Sequence, residues 1–220
     1  MNKTLSLLVA PLLLAGAVSA AQAQQGNAVE GEKKAAMCIG CHGLPRFQAS
    51  FPEVHKVPMI SGQGGKFIAA SLAAYKKGER KHPTMRAIAA SLNDQDMADL
   101  AAFYEGHGAG SIKPVADVAA AAPSPEVAAL LTKGACASCH GANFNKPIDP
   151  SYPKIAGQHG DYLAAALRAY ATEGNPNIGR SNAIMAAQVK QFKRSELKAI
   201  ADYLESLPGD LRTVPQSRFR

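Results

Sequence analysis

Tryptophan is absent from the 220 residues, and aromatic residues together make up only 6%. Aromatic rings supply much of the bulk of an ordinary core, so this shortage implies that something other than side chains fills the interior. Cysteine is also scarce, with four in all, and the chain is too long for a scaffold held by disulfides alone. Beyond the N-terminus no apolar run approaches the roughly 18 residues that a membrane helix needs. Alternating strand patterns are missing too, which leaves helices. With 47% hydrophobic and 19% charged residues, the composition excludes disorder and implies a soluble globular protein of one large or two small domains.

Residues 1–23 carry one Lys, an apolar stretch from Leu5 to Val18 broken by Ser6 and Pro11, and then Ala21-Gln22-Ala23. This is the pattern of a cleaved secretory signal peptide. It predicts export to the periplasm, where disulfides are permitted. No Cys sits near the cleavage point, which argues against a lipid anchor.

All four cysteines fall in two pentapeptides, Cys38-Ile39-Gly40-Cys41-His42 and Cys136-Ala137-Ser138-Cys139-His140, each followed by Gly. C-x-x-C-H is the attachment signature of a c-type haem. On a helical turn two thiols at i and i+3 share a face and can be alkylated by the two haem vinyl groups, while the adjacent His reaches the iron. A thioredoxin-like pair requires one such motif after a strand, and no β-rich segment precedes either run. One zinc site built from both pairs leaves two identically placed histidines unexplained, and so do plain disulfides. The expected cofactors are therefore two covalently bound haem c groups, held by Cys38, Cys41, Cys136 and Cys139.

The duplication extends well past the motif. Ile60-Ser61-Gly62-Gln63 matches Ile155-Ala156-Gly157-Gln158 at an offset of 95, followed by Phe67 with Tyr162, Leu72 with Leu167 and Tyr75 with Tyr170. At an offset of 100, Arg80 and Met85 match Arg180 and Met185, and Met97, Leu100 and Tyr104 match Leu197, Ile200 and Leu204. Two homologous domains follow, 24–110 and 124–220, joined by a Pro, Gly and Ala-rich linker at 111–123.

Each half is expected to hold three helices. The first leads into the haem motif, with Ser124 as N-cap and Pro125 at the first helical position in the second half. The middle helices are placed at Gly65 to Lys77 and Gly160 to Thr172. The last, Asn93 to Glu105 and Ser195 to Leu207, show the i, i+3, i+7 stripe of a core-facing helix. The fold class is all-α, two tandem small helical domains each wrapped round a haem.

The sixth iron ligand separates a carrier from a catalyst. In the second half Met185 is the only methionine, 45 residues after His140. The first half offers Met37, Met59, Met85 and Met97, as well as His55, His82 and His107. Repeat symmetry selects Met85, which aligns with Met185 and lies 43 residues after His42. His82 is the alternative, and His55 and His107 read as loop residues. The expected iron ligands are thus His42 with Met85 and His140 with Met185.

At this point the chain resembles the di-haem class I cytochromes c called cytochrome c4. The residues that carry the likeness are the two C-x-x-C-H-G runs, Pro58-x-Ile60-x-Gly62-Gln63 and Pro153-x-Ile155-x-Gly157-Gln158, Tyr75 and Tyr170, and Arg180-x-Asn182-x-x-Met185. The resemblance implies that Pro58 and Pro153 each offer a backbone carbonyl to the second ring nitrogen of His42 and His140. The first half departs from it in having His82-Pro83 where the second has Asn182-Ala183. Its loop from Gly43 to Val57, carrying Phe47, Phe51 and His55, is also three residues longer than its counterpart.

A His/Met pair saturates the iron, which leaves outer-sphere electron transfer and no small-molecule substrate; a di-haem peroxidase would need a vacant position. The formal charge of +7 falls to +6 without Lys3, and four ionised haem propionates reduce it to about +2, which argues against nucleic acid. The run Lys76, Lys77, Arg80 and Lys81 is a candidate docking patch for an acidic partner, set against the plainer reading of a solvated helix end. The resemblance implies redox protein partners, carrying electrons from a quinol-oxidising complex or dehydrogenase to a terminal oxidase. The alternative is a cytochrome subunit of a periplasmic dehydrogenase. A pyridine haemochrome assay on the purified protein is expected to count two haems per chain, and a count of one would refute the duplication reading.

Overall fold

The computed structural model describes residues 25–109 and 121–215. The segment expected to be a signal peptide and most of the expected linker lie outside the described residues. The order of elements is α1 (Ala28–Lys34), α2 (Ala36–His42), β1 (Gln48–Ala49), β2 (His55–Lys56), α3 (Gly65–Lys77), β3 (Arg80–Lys81), α4 (Pro83–Ala90) and α5 (Asp94–Gly106). The second half continues with α6 (Pro125–Lys133), α7 (Cys136–His140), α8 (Gly160–Ala171), β4 (Gly179–Arg180), α9 (Ala183–Val189) and α10 (Arg194–Ser206).

The fold is all-α, and its helix ends follow local chemistry. Asn27 caps α1 by accepting from the N–H groups of Val29 and Glu30, Asn93 caps α5 in a reciprocal capping box with Asp96, and Ser124 caps α6 as expected. Among the described residues, however, each half holds five helices instead of three. The first helix breaks just before the cysteine motif, and a short helix carrying Met85 or Met185 is added. These pieces are under three turns long, too short for periodicity to reveal. Four two-residue strands form two small ladders, again below the length at which alternation is visible.

The last helices supply the cores. Met97, Leu100 and Tyr104 of α5, and Leu197, Ile200 and Leu204 of α10, are all buried. Met97, Leu100 and Tyr104 pack with Ile68 and Leu72 of α3 in one half, and Ile200 and Leu204 with Leu163 and Ala164 of α8 in the other. At the crossing of α1 over α5 a Cβ on Gly31 would lie 2.1 Å from the Asp99 carbonyl oxygen, so only glycine permits the approach. Asp99 locks that crossing by accepting from the Asn27 N–H at 2.8 Å and from Lys34 Nζ at 2.6 Å.

The two halves meet about an approximate two-fold axis. The Gln63 side chain donates to the Lys154 carbonyl and accepts from the Lys154 N–H, both at 2.9 Å. Gln158 does the same to Met59, at 2.9 and 3.0 Å. Both glutamines are buried, so each amide satisfies a backbone donor and acceptor that water cannot reach. Strands β3 and β4 pair antiparallel across the seam, Lys56 contacts Asp161 at 3.3 Å and Arg168 contacts Glu53 at 2.9 Å. The C-terminal segment crosses over as well, Arg212 N–H donating to the Ser61 carbonyl at 3.0 Å.

One residue reading changes, that of His55, whereas His107 lies in the turn after α5 as expected of a loop residue. His55 lies in β2, is buried, and meets the Tyr162 ring of the other half at 5.7 Å, edge to face. His107 stacks on Phe103 and hydrogen-bonds Ser61 at 2.9 Å. Of the candidate docking patch, Arg80 and Lys81 belong to the seam, with Lys81 Nζ donating to the Asn175 carbonyl at 2.8 Å. Replacing Gln63 or Gln158 with Leu strands one buried backbone donor and one acceptor. A loss of about 1–3 kcal/mol is expected, seen in calorimetry as a lower melting temperature and a broadened transition as the halves uncouple.

Candidate haem centre

Each cysteine motif sits on its own short helix, so the thiols at i and i+3 project from one side and the histidine from the last turn. Ala135, just before Cys136, adopts φ 45°, a left-handed conformation that costs a residue with a Cβ about 1–2 kcal/mol. Gly141, just after His140, has φ 82°, and a Cβ there would lie 2.0 Å from the Lys146 carbonyl oxygen. The glycine after the motif therefore lets the chain turn tightly behind the histidine.

His42 Nδ1 donates to the Pro58 carbonyl at 2.8 Å, and His140 Nδ1 to the Pro153 carbonyl at 3.0 Å. These two bonds set the tautomer and leave each Nε2 lone pair free. Burial holds both imidazoles below their ordinary value, more than the carbonyl bonds raise them, so both are neutral near pH 7. No disulfide joins any of the four cysteines. Burial pushes Cys38 up to about 11 and Cys136 upward, which keeps these two from acting as thiolates. Among the described residues no three His, Cys, Asp or Glu side chains converge as a metal cage, which removes support for the zinc alternative.

Met85 and Met185 arrive on α4 and α9. His82 caps α4, its Nδ1 accepting from the Met85 N–H at 3.4 Å, and Asn182 caps α9 by accepting from the Met185 N–H at 2.9 Å. His82 and Asn182 thus hold equivalent places, and the His82 nitrogen nearest the methionine backbone is engaged as a cap. Met97 is core, and Met59 is held at its backbone by Gln158.

Cys38, Cys41, His42 and Met85 line one cavity of about 680 Å³ together with Cys136, Cys139, His140 and Met185. All eight residues selected from the sequence are therefore brought to one space, which neither half encloses alone. Its walls are mainly apolar, including Ile60, Ile68, Leu72, Leu100, Ile155, Leu163 and Leu167. The donor set fits a haem in each half: two thiols on one helical turn, a neutral imidazole with Nε2 free, and a thioether from another helix. Sequence reasoning noted Gln63, Gln158 and Arg180 as repeat and family-motif matches, and Arg80 as a repeat match and part of a docking patch. It missed that they form the seam, and the shared offsets were the one signal.

Two class I cytochrome c domains in tandem, built to hold two covalent haem c groups, define the chain as a di-haem c-type cytochrome. Residues 125–208 match the family described as Cytochrome c. The chain is 31% identical to cytochrome c4 of Azotobacter vinelandii over 94% of its own length and all of that protein's. It is 30% identical to a thiosulfate dehydrogenase electron acceptor of Stutzerimonas stutzeri, over 90% of its own length and 92% of that protein's. The crystal structure of reduced recombinant cytochrome c4 from Pseudomonas stutzeri superposes with a TM-score of 0.60 at 26% identity, covering 83% of this chain and 99% of that one. The chain belongs to the cytochrome c4 family.

His82→Asn installs the cap that the second half already uses, so it should leave stability and the ferric iron–sulfur band unchanged. His82→Ala should cost about 1 kcal/mol in thermal unfolding by removing the cap. Loss of iron ligation in His82→Asn would instead make His82 the ligand.

Proposed function

We propose that this protein is a periplasmic electron carrier, exported by a cleaved signal peptide at 1–23, with domains at 24–110 and 124–220. Cys38 and Cys41, and Cys136 and Cys139, anchor the two haems; His42 with Met85, and His140 with Met185, are the axial pairs. The observation that carries this reading is that both complete donor sets line one apolar-walled cavity across the seam. Each haem supplies a one-electron Fe(II)/Fe(III) couple. The protein's contribution is to hold that couple in place. The proline carbonyls orient the imidazoles, the soft thioethers favour Fe(II) and raise the potential, and the apolar walls keep water away from the centres.

Electrons are received from a quinol-oxidising complex or a dehydrogenase and passed to a terminal oxidase, through docking with redox proteins. A second reading is favoured by the likeness to a thiosulfate dehydrogenase electron acceptor: a cytochrome subunit bound to a periplasmic dehydrogenase. Copurification from native membranes and periplasm separates the two, since a subunit stays with a catalytic chain through gel filtration and a mobile carrier does not.

Visible and near-infrared spectra test the ligand set. The ferric protein should show the weak iron–sulfur band at full intensity for two haems, and Met85→Ala and Met185→Ala should each remove about half of it. Peroxide turnover should be negligible in the wild type and rise in either variant. A wild-type protein with half the band and a high-spin signal would put the catalytic reading first.

A further inference from the structure

Residues 209–214 run on past α10 and past the matched cytochrome segment, which ends at 208. The segment is anchored first to its own half. The Asp210 N–H donates to the Asn145 side-chain oxygen at 3.0 Å, and the Asp210 carboxylate pairs with Lys154 at 3.3 Å. Leu211 is 2% exposed. Arg212 then forms an antiparallel bridge with Ser61 of the first half, its N–H donating to the Ser61 carbonyl at 3.0 Å, while its guanidinium folds back on the carbonyls of Gly209 and Leu211. Val214 reaches the residue after His42: its carbonyl oxygen lies 3.4 Å from where a Cβ of Gly43 would stand.

What the segment touches is the support of one histidine. His42 Nδ1 donates to the Pro58 carbonyl, and residues 58–63 lie in no helix and no named strand. Such a loop keeps its carbonyls in place only through bonds that other segments supply. Gln158 engages both backbone groups of Met59, the Gly62 N–H donates to the Tyr104 carbonyl at 2.8 Å, and Arg212 engages Ser61. Ser61 is buried, so its carbonyl needs a partner from the protein. The counterpart loop of the second half is pinned from within, the N–H groups of Ile155 and Ala156 both donating to the Phe144 carbonyl at 2.8 and 3.0 Å. In the first half the Phe47 carbonyl is taken by the Val57 N–H at 2.8 Å, upstream of Pro58. The longer loop thus spends its own carbonyl before the histidine support is reached, and the second half supplies the missing hold.

We propose that residues 209–214 form a strap through which the second half positions the axial histidine of the first. The strap fixes the 58–63 loop, the loop fixes the Pro58 carbonyl, and that carbonyl orients His42. The role rests on His42 being an iron ligand. Arg212 and Val214 are positioning residues, since neither lines the cavity. The dependence runs in one direction. His140 relies less on the other half, because the Phe144 carbonyl holds its loop from the same side of the seam.

Exchange of the histidine Nδ1 protons in the reduced, haem-loaded chain, followed by heteronuclear NMR, tests this with His140 as the internal reference. Arg212→Pro removes the one N–H that reaches Ser61. A chain ending at Leu211 removes the Arg212 and Val214 contacts and keeps Asp210 on Asn145 and Lys154. In each, exchange at His42 should quicken by about tenfold, as expected when one buried hydrogen bond no longer holds a local opening closed, and exchange at His140 by less than about threefold. Either variant alone decides the matter if the other fails to fold. Arg212→Ala keeps the N–H and should leave both rates within about threefold of the wild type. A strap that only stabilised the chain as a whole would quicken both histidines alike; that result, or an unchanged His42 rate, would overturn the positioning role. The same spectra report ligation separately, because the ring protons of an iron-bound histidine are shifted far upfield by the haem. Absence of that shift at His42 in the wild type would refute the ligand reading, and the positioning role with it.

Discussion

Neither half of this protein closes a core of its own. The last helix of each half, α5 or α10, packs tightly against the preceding long helix, but the opposite side of each core opens into a common cavity of about 680 Å³. An apolar-walled space of that size is unfavourable unless it is filled, because its lining loses contacts that a close-packed interior would provide. The scarcity of aromatic side chains, the alanines along α8 and the two cysteine motifs at the cavity wall are parts of one solution. The volume is reserved for two covalent haems, which supply the missing core. Folding, haem attachment and redox function are therefore aspects of a single packing constraint.

Duplication then determines how the two centres are held together. Gln63 and Gln158 make equivalent reciprocal bonds across the seam, and Arg80 opposes Arg180 in the ladder. An isologous contact of this kind satisfies its polar groups twice with one set of residue types, as a symmetric dimer does. Because the glutamine bonds, the β3–β4 ladder and the Glu53–Arg168 and Lys56–Asp161 pairs all cross the seam, the spacing of the two sites is set by these contacts.

The symmetry is broken in a few places, all of them close to the cavity. His82 replaces Asn182 as the cap of the methionine helix, Tyr162 replaces Phe67 beneath the arginines, and the longer loop of the first half folds into a small hairpin. That hairpin is clamped to the second half by the Glu53–Arg168 and Lys56–Asp161 pairs and buries His55 against Tyr162. Different polar surroundings are the usual way in which chemically identical metal centres acquire different potentials.

The cysteine motifs, the repeat offsets and the matching positions of Met85 and Met185 were legible in the sequence, since covalent attachment demands particular residue types at a fixed separation and a duplication keeps its register. So were the middle and last helices, long enough for a 3.6-residue period to show. The short methionine helices, the two-residue ladders and the break before each motif were not, because elements under three turns carry no periodicity. His55, Arg80 and Lys81 read as loop and surface residues, and only the docking of one half on the other buries or engages them. The sequence by itself thus determined which chemistry each half holds. The tertiary structure alone decided that both cysteine motifs line one cavity, with Arg80 and Arg180 in its wall, because contacts between residues about 100 positions apart depend on how the halves pack and leave no local pattern in the chain.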